Sequence, residues 1–184
     1  MECNRENDGT GEQELYLKKL STTDGLEVFD MLQEIEGHDN GFRNEVSSLT
    51  YQEFKNWLER NENFSKGREL ESWMVPQTTF WLYRSTTPIG YGRIRHALNE
   101  NLSKNSGHIG YALGKSHRGK GYGHTFLKLL LKECLSMGIH PIQIGVGIKN
   151  FRSNQLVVAN GGRLVSVTIN KKIYQIYKED MDFH

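Results

Sequence analysis

The sequence predicts an α/β fold of the α+β kind, one mixed sheet with helices on both of its faces. Three observations carry that expectation. Residues 107–137 read as a strand, a glycine-rich loop and a helix in direct succession. Residues 78–84 (TTFWLYR) and 89–97 (IGYGRIRHA), parted by Ser-Thr-Thr-Pro, have the composition and spacing of a hairpin. Residues 163–169 and 172–178 repeat that pattern near the end of the chain. At 184 residues the chain is long enough to bury a substantial core, so a flexible tail over 1–12 and a single domain over 13–184 are expected.

The opening stretch, MECNRENDGTGEQE, is polar and has no hydrophobic segment after its charges. It is read as a mobile tail rather than a secretory signal. Leu15, Leu17 and Leu20 suggest a first strand over 14–20. Thr23 or Asp24 is the expected cap of a helix reaching about Glu36, with Leu26, Val28, Phe29, Leu32 and Ile35 mostly at helical spacing. Gly37 to Phe42 breaks it. A second helix is predicted from Thr50 to about Asn61, with Tyr51, Phe54, Trp57 and Leu58 on one face and a capping-box pattern at Thr50 and Glu53. The polar stretches 63–72 and 99–106 are read as loops on either side of the first hairpin. Residues 107–113 (GHIGYAL) form the strand that feeds the glycine loop. Behind the loop, Phe126, Leu127, Leu130, Leu131, Cys134 and Leu135 recur as one buried helical face. Gly138 is the natural stop, with Pro141 just beyond. Ile142, Ile144, Val146 and Ile148 alternate with Gln143, Gly145 and Gly147, a strand with one buried face. A short helix over 151–159 precedes Asn160-Gly161-Gly162 and the closing hairpin.

Net charge is +1, and no apolar run approaches the length of a membrane span. Two cysteines, Cys3 and Cys134, are too few and too unlike in setting for a disulfide framework, so a reducing, cytoplasmic location is the default expectation. Charge is unevenly distributed along the chain. Residues 24–62 hold ten carboxylates against three Lys or Arg; residues 63–184 hold seven acids against seventeen bases. A basic half suits a polyanionic ligand, and solvated surfaces on each half account for the pattern equally well. The bases are dispersed and lack interleaved aromatics, so no nucleic-acid partner is expected, and neither is a membrane or a metal.

The stretch Arg118-Gly119-Lys120-Gly121-Tyr122-Gly123 organises the rest. A helix that starts in such a loop offers unpaired N–H donors and a positive dipole end, which suit a phosphate or pyrophosphate. Two familiar phosphate loops miss. Gly114 to Lys120 supplies all of a Walker A loop except its last residue, where Gly121 stands in place of Ser or Thr. The dinucleotide fingerprint, started at Gly119 and Gly121, meets His124 where its third glycine belongs, and 142–148 contains no acidic residue. The pattern [RQ]-x-x-G-x-[GA] fits without mismatch at Arg118, Gly121 and Gly123. In this the chain resembles the GNAT-type N-acetyltransferases, whose acetyl-CoA loop it is. The resemblance continues through the strand 142–148 to Asn150-Phe151-Arg152-Ser153, with the strand-end Asn and a small residue three later. It covers about residues 76–180, is strongest over 107–162, and is nearest to bacterial members of unassigned substrate.

That resemblance implies a central, mostly antiparallel sheet with one parallel, splayed pair of strands, and acetyl-CoA as co-substrate. Its loop, Arg118, Gly119, Lys120, Gly121, Tyr122 and Gly123, is expected to hold the pyrophosphate, mostly by main-chain N–H groups. The backbone of Tyr111, Ala112 and Leu113 is expected to grip the pantetheine arm and polarise the thioester carbonyl. Asn150 either bonds the pantetheine or caps the helix 151–159, and Ser153 follows it in the same site. Gly145 and Gly147 keep a backbone open for a ligand or mark a close strand approach.

The proton-transfer residues depart from the family pattern. The frequent Tyr seven residues after the strand-end Asn is Val157 here, which leaves Tyr174 or Tyr177 on the last strand as acid, or water. The frequent carboxylate base falls near Gly107 and His108; His108 is the candidate base, with His96 and Glu100 behind it. The expected reaction is direct attack by a primary amine, from a small molecule or a peptide, in a ternary complex. Glu34, Glu36, His38, Asp39 and Glu45 make the acceptor side acidic and suggest a cationic amine. A non-catalytic acetyl-CoA-binding sensor or assembly module of the same fold is the alternative, and the protein is expected to be a monomer or a homodimer.

Overall fold

The computed structural model describes residues 14–181, so Cys3 and the expected tail over 1–12 lie outside the described residues. In chain order the elements are β1 (Leu15–Lys19), α1 (Leu26–Gln33), a small hairpin of β2 (His38–Asp39) and β3 (Phe42–Arg43), α2 (Tyr51–Ser65), β4 (Gln77–Arg84), β5 (Thr87–Arg95), α3 (Glu100–Asn105), β6 (Ile109–Leu113), α4 (Tyr122–Ser136), β7 (Ile142–Gly147), α5 (Phe151–Ala159), β8 (Arg163–Val167) and β9 (Lys171–Ile176).

Strands β1-β4-β5-β6 form one sheet and β7-β9-β8 another. Strand alternation sorts the core onto two faces. On one face Phe80, Leu82 and Ile94 pack under α4, whose Phe126, Leu127, Leu130, Leu131 and Cys134 are all buried. On the other, Trp81, Tyr83 and Tyr91 meet Val28, Leu32 and Ile35 around α1, and Phe54, Trp57 and Leu58 of α2. Each such side chain, fully buried, contributes about 1.5–3 kcal/mol relative to exposure. Gly90 and Gly92 let α4 sit close: a Cβ on either would lie 2.8–2.9 Å from Phe126 or Leu130. Cys134 is a core thiol, with its pKa pushed up to about 12 chiefly by burial.

The expected parallel pair is corrected by the structure: every strand pairing among the described residues is antiparallel. β6 and β7 meet at one end only. There the His108 N–H donates to the Gln143 carbonyl at 2.8 Å, and the Gln143 N–H donates to His108 Nδ1 at 3.0 Å, where a ladder would need another carbonyl. The backbone of Ser106 and Gly107 crosses β7 so closely that a Cβ on Gly107 would lie 2.3 Å from the Gln143 oxygen, and one on Gly145 2.8 Å from the Ser106 oxygen. No ladder forms beyond this crossing, and the space between the strands is open.

Three local expectations also change. Neither Thr23 nor Asp24 caps α1; its N-cap is Gly25. Asp24 is buried and instead accepts from Ser21 N–H, Lys18 Nζ and Trp81 Nε1. The stretch 99–106 holds the short helix α3, with the Asn99 side chain accepting from Leu102 N–H. Helix α2 has its capping box at Thr50 and Glu53 but continues to Ser65, a turn into the expected loop.

Candidate active site

The open space between β6 and β7 is a cleft of about 620 Å³. The N-terminal ends of α4 and α5 and the β2–β3 hairpin complete its walls. Its main-chain chemistry follows from ladder alternation. The bonds Arg95 N–H to His108 O and Gly114 N–H to Ile89 O turn the even-numbered residues of β6 toward β5. Ile109, Tyr111 and Leu113 therefore present their main-chain groups to the cleft, whereas those of Ala112 serve the ladder with Tyr91. This corrects the sequence expectation for Ala112. On β7 the Ile148 N–H to Asn170 O bond turns the even-numbered residues toward β9, so odd-numbered Gly145 presents its N–H and carbonyl to the same cleft.

At the far end lies the glycine loop. Gly119 and Gly121 take φ of +76° and +84°, conformations that favour glycine, and a Cβ on either would meet nothing within 4 Å. Gly121 is the N-cap of α4 and brings no side-chain cap, so the first-turn N–H groups of Tyr122 and Gly123 stay available for an anion. Gly123 serves packing: its Cβ would lie 2.9 Å from Leu156 Cδ1 on α5. Arg118 does not extend into the cleft as a free cation. Its Nε donates to the Leu113 carbonyl at 3.0 Å and its Nη2 is ion-paired with Asp39. Lys120 is exposed and lies outside the cleft lining. Tyr122 lines it and accepts from Arg84 Nη1 at 2.7 Å.

Asn150 is the N-cap of α5, its Oδ1 accepting from Ser153 N–H at 3.2 Å, and both residues line the cleft. Ser153 Oγ shares a hydrogen bond of 3.2 Å with the Tyr111 hydroxyl. Burial raises the Tyr111 pKa, partly offset by that bond, so the phenol stays protonated at neutral pH.

The three expected catalytic side chains are not brought together. Tyr174 is buried and donates to Asn154 Oδ1 at 2.8 Å, where Asn154 bridges the Gly147 and Asn150 carbonyls. Tyr177 bonds Gln175 and lies against Arg163. His108 joins the two sheets, and burial lowers its pKa, so it is held as a neutral acceptor. None of the three lines the cleft. The fallback bases fare no better: His96 bonds Thr78, and Glu100 is exposed and paired with Lys104.

The acidic residues between α1 and α2 are mostly engaged. Glu34 Oε2 accepts from both the N–H and the hydroxyl of Ser116, at 2.9 and 2.7 Å. Burial pushes the Glu34 pKa up, but those bonds, with His117 and Arg118 nearby, hold it below its ordinary value. Asp39 is held by Arg118, and Glu45 lies 3.8 Å from Arg43. By contrast, Arg93, Arg95 and Lys171 line the cleft without a described carboxylate in ion-pair range. Sequence reasoning missed this trio and the Tyr111 phenol. The available signal was Arg93 and Arg95 two apart, on one face of a predicted strand.

A family model described as acetyltransferase (GNAT) domain matches residues 14–163. Among solved structures, RimL, a ribosomal L7/L12 alpha-N-protein acetyltransferase in complex with coenzyme A, superposes with a TM-score of 0.68 at 14% identity, over 89% of this chain and 93% of that one. MccE, a microcin C7 self-immunity acetyltransferase in complex with acetyl-CoA and AMP, gives 0.65 at 15%, over 90% and 93%. The N-acetyltransferase PseH of Campylobacter jejuni, in complex with acetyl coenzyme A, gives 0.61 at 12%, over 90% and 99%. At these identities the likeness is one of fold. Comparison with curated protein sequences gives no match.

Proposed function

This chain belongs to the acetyltransferase (GNAT) family and is an acetyl-CoA-dependent N-acetyltransferase, and we propose that a primary amine attacks directly in a ternary complex. The observation that carries the proposal is the cleft itself. It has unpaired main-chain groups of Tyr111 and Gly145 on facing strands and an uncapped helix start at its far end. Those features fit the amide-rich pantetheine arm and the pyrophosphate of coenzyme A respectively. Bound there, acetyl-CoA supplies an acetyl thioester whose C–S bond breaks as the C–N bond to the amine forms.

The chain's own groups divide the remaining work. Gly119, Gly121, Tyr122 and Gly123 offer main-chain N–H donors to the diphosphate. Arg118 holds the loop against Leu113 and Asp39, a positioning role. The Tyr111 main chain orients the thioester, and Asn150 sets the start of α5 so that Ser153 meets the Tyr111 hydroxyl. We assign that hydroxyl as proton donor to the departing sulfur, because it is half-buried, protonated and borne by a residue that lines the cleft. Proton removal from the amine is assigned to water, since Asp39, the lining carboxylate, is paired with Arg118. The acidic residues that suggested a cationic acceptor, Glu34 and Asp39 above all, point to other partners, and a cationic preference loses their support.

Steady-state thiol release with a panel of amines tests the reading. Tyr111→Phe should lower kcat about a hundred-fold with little change in the KM for acetyl-CoA. Cofactor binding without thiol release from any amine would favour the sensor alternative. Absence of saturable acetyl-CoA binding by calorimetry would remove the site altogether.

A further inference from the structure

We propose that Arg93, Arg95 and Lys171 form an anion-binding pocket on the acceptor side of the cleft, so that the amine receiving the acetyl group carries its own carboxylate or phosphoryl group. The inference rests on the transferase reading for the word acceptor; the pocket itself rests on geometry.

Alternation along β5 puts Gly90, Gly92 and Ile94 under α4, and Tyr91, Arg93 and Arg95 on the opposite face with α1 and α2. The Arg93 guanidinium lies 5.3 Å from the centre of the Phe42 ring, on that same face. On β9, Tyr174 and Ile176 point into the α4 core, which leaves Lys171 on the other face, opposite Gly147. The three cations thus flank the cleft from both sheets on one side.

They are incompletely satisfied there. Arg93 Nε is buried with no hydrogen-bond partner. Arg95 donates to the Gly107 carbonyl at 2.8 Å, with Ser106 Oγ at 3.4 Å. Burial, with the neighbouring charge of Arg93, lowers the Arg95 pKa to about 10, and burial followed by Arg95 lowers that of Lys171. Like charges gathered in a partly buried site without a counter-charge destabilise the empty protein, and an arriving anion reverses that cost.

The diphosphate of coenzyme A does not meet this need. Arg93 pairs across from Gly110, three residues and roughly 10 Å along the strand before the end of β6, with the loop beyond that end. The trio also lies on the face away from α4, whose N-terminus holds the phosphate donors. An anion on the acceptor, a few bonds from its amine, fits both the position and the chemistry; arginine forks and a lysine point charge recognise carboxylate and phosphate alike.

The test is thiol release with matched pairs: glycine and glycinamide, glucosamine 6-phosphate and glucosamine, and spermidine as a polycation. The anionic member of at least one pair should be preferred about ten-fold or more in kcat/KM, and which pair responds tells carboxylate from phosphate. In Arg93→Gln and in Lys171→Gln that preference should collapse, while calorimetry shows acetyl-CoA affinity retained. Preference for spermidine or the neutral amines, or a preference unmoved in both variants, overturns the proposal. If acetyl-CoA binds and no amine is turned over, the transferase reading fails instead. The pocket is then judged by titrating the acetyl-CoA-loaded protein with inorganic phosphate: saturable binding lost in Arg93→Gln supports it, and no binding overturns it.

Discussion

His108 and Gln143 hold each other twice: the His108 N–H donates to the Gln143 carbonyl at 2.8 Å, and the Gln143 N–H donates to His108 Nδ1 at 3.0 Å. This pair of hydrogen bonds closes one end of the cleft and joins its two sheets. An acceptor Nδ1 requires the neutral ring, with its proton on Nε2.

Acid should therefore open that joint. Burial lowers the His108 pKa from its ordinary 6.5, so the folded form binds fewer protons than the unfolded chain in that window. Stability is fully present above the unfolded value and is lost as pH falls through the folded one. Losing one bond of about 1 kcal/mol should weaken acetyl-CoA binding about five-fold on the acid side. His108→Asn offers an amide oxygen near the Nδ1 position and does not titrate, so its affinity should vary less with pH. His96 and His117 also have lowered pKa values and are common to both proteins. Calorimetric titrations from about pH 5 to about pH 7.5 compare them, a window that brackets the histidine range, and parallel curves would remove His108 from the explanation.

The two motif glycines should respond differently to alanine. Gly121 sits at φ +84° with open space around it, so Gly121→Ala carries a backbone cost of about 1 kcal/mol, and Gly121→Asn, which tolerates that conformation, less. Gly123→Ala meets only the tip of the half-buried Leu156 side chain, a flexible group that should give way, whereas Gly123→Leu must part α4 from α5. Chemical denaturation combined with acetyl-CoA titration separates strain from loss of the site. Equal losses for Gly121→Ala and Gly121→Asn would contradict the role given to φ.

What was legible in the sequence was whatever depends on near neighbours. Thr50 and Glu53, close along the chain, are enough to write a capping box, and Phe126, Leu127, Leu130 and Leu131 write the buried face of α4. The loop was legible because Gly119 and Gly121 must adopt a conformation that other residues avoid. What was illegible depends on the crossing of chain segments far apart. Nothing near Gly107 announces that it passes over Gln143, so the sequence predicts a parallel pair where only one crossing forms. The fates of Asp24 and Tyr174 were hidden likewise, since Trp81 and Asn154, their partners, lie 57 and 20 residues away.

Asp24 gives the sharpest stability prediction. It is buried and accepts from Trp81 Nε1 at 2.7 Å, Ser21 N–H at 2.8 Å and Lys18 Nζ at 2.9 Å, which binds the start of α1 to β1 and β4. Asp24→Ala leaves the buried indole N–H without a partner and should cost about 3 kcal/mol, the lower end for a broken buried pair because Lys18 reaches solvent. In a chain of this size that is a fall of roughly 10 °C in Tm. Asp24→Asn retains an acceptor for Trp81 and should lie between. Calorimetric melting of the three proteins checks the order.

Glu34, at the C-terminal end of α1, ties that helix to the segment entering the glycine loop, and its two functions are separable. Both Ser116 donors converge on one oxygen, Oε2, so the segment entering the loop is held at Ser116, and a Cβ on Gly114 would lie 3.0 Å from that same oxygen, so the chain passes close to the carboxylate there. Glu34→Ala removes both bonds and should weaken acetyl-CoA binding about ten-fold through a loosened loop. Glu34→Gln keeps an oxygen for Ser116 and should bind nearly as wild type does at neutral pH. The charge shows itself in acid. Because the folded pKa lies below the ordinary 4.5, the stabilisation from Glu34 is complete above that value and is lost as pH falls through the folded one. Glu34→Gln has no such titration, so its stability relative to wild type should improve as pH drops from about 5 toward about 3. Denaturant unfolding at a series of pH values measures the difference, and a constant gap between the two proteins would show that the carboxylate charge contributes nothing to the joint.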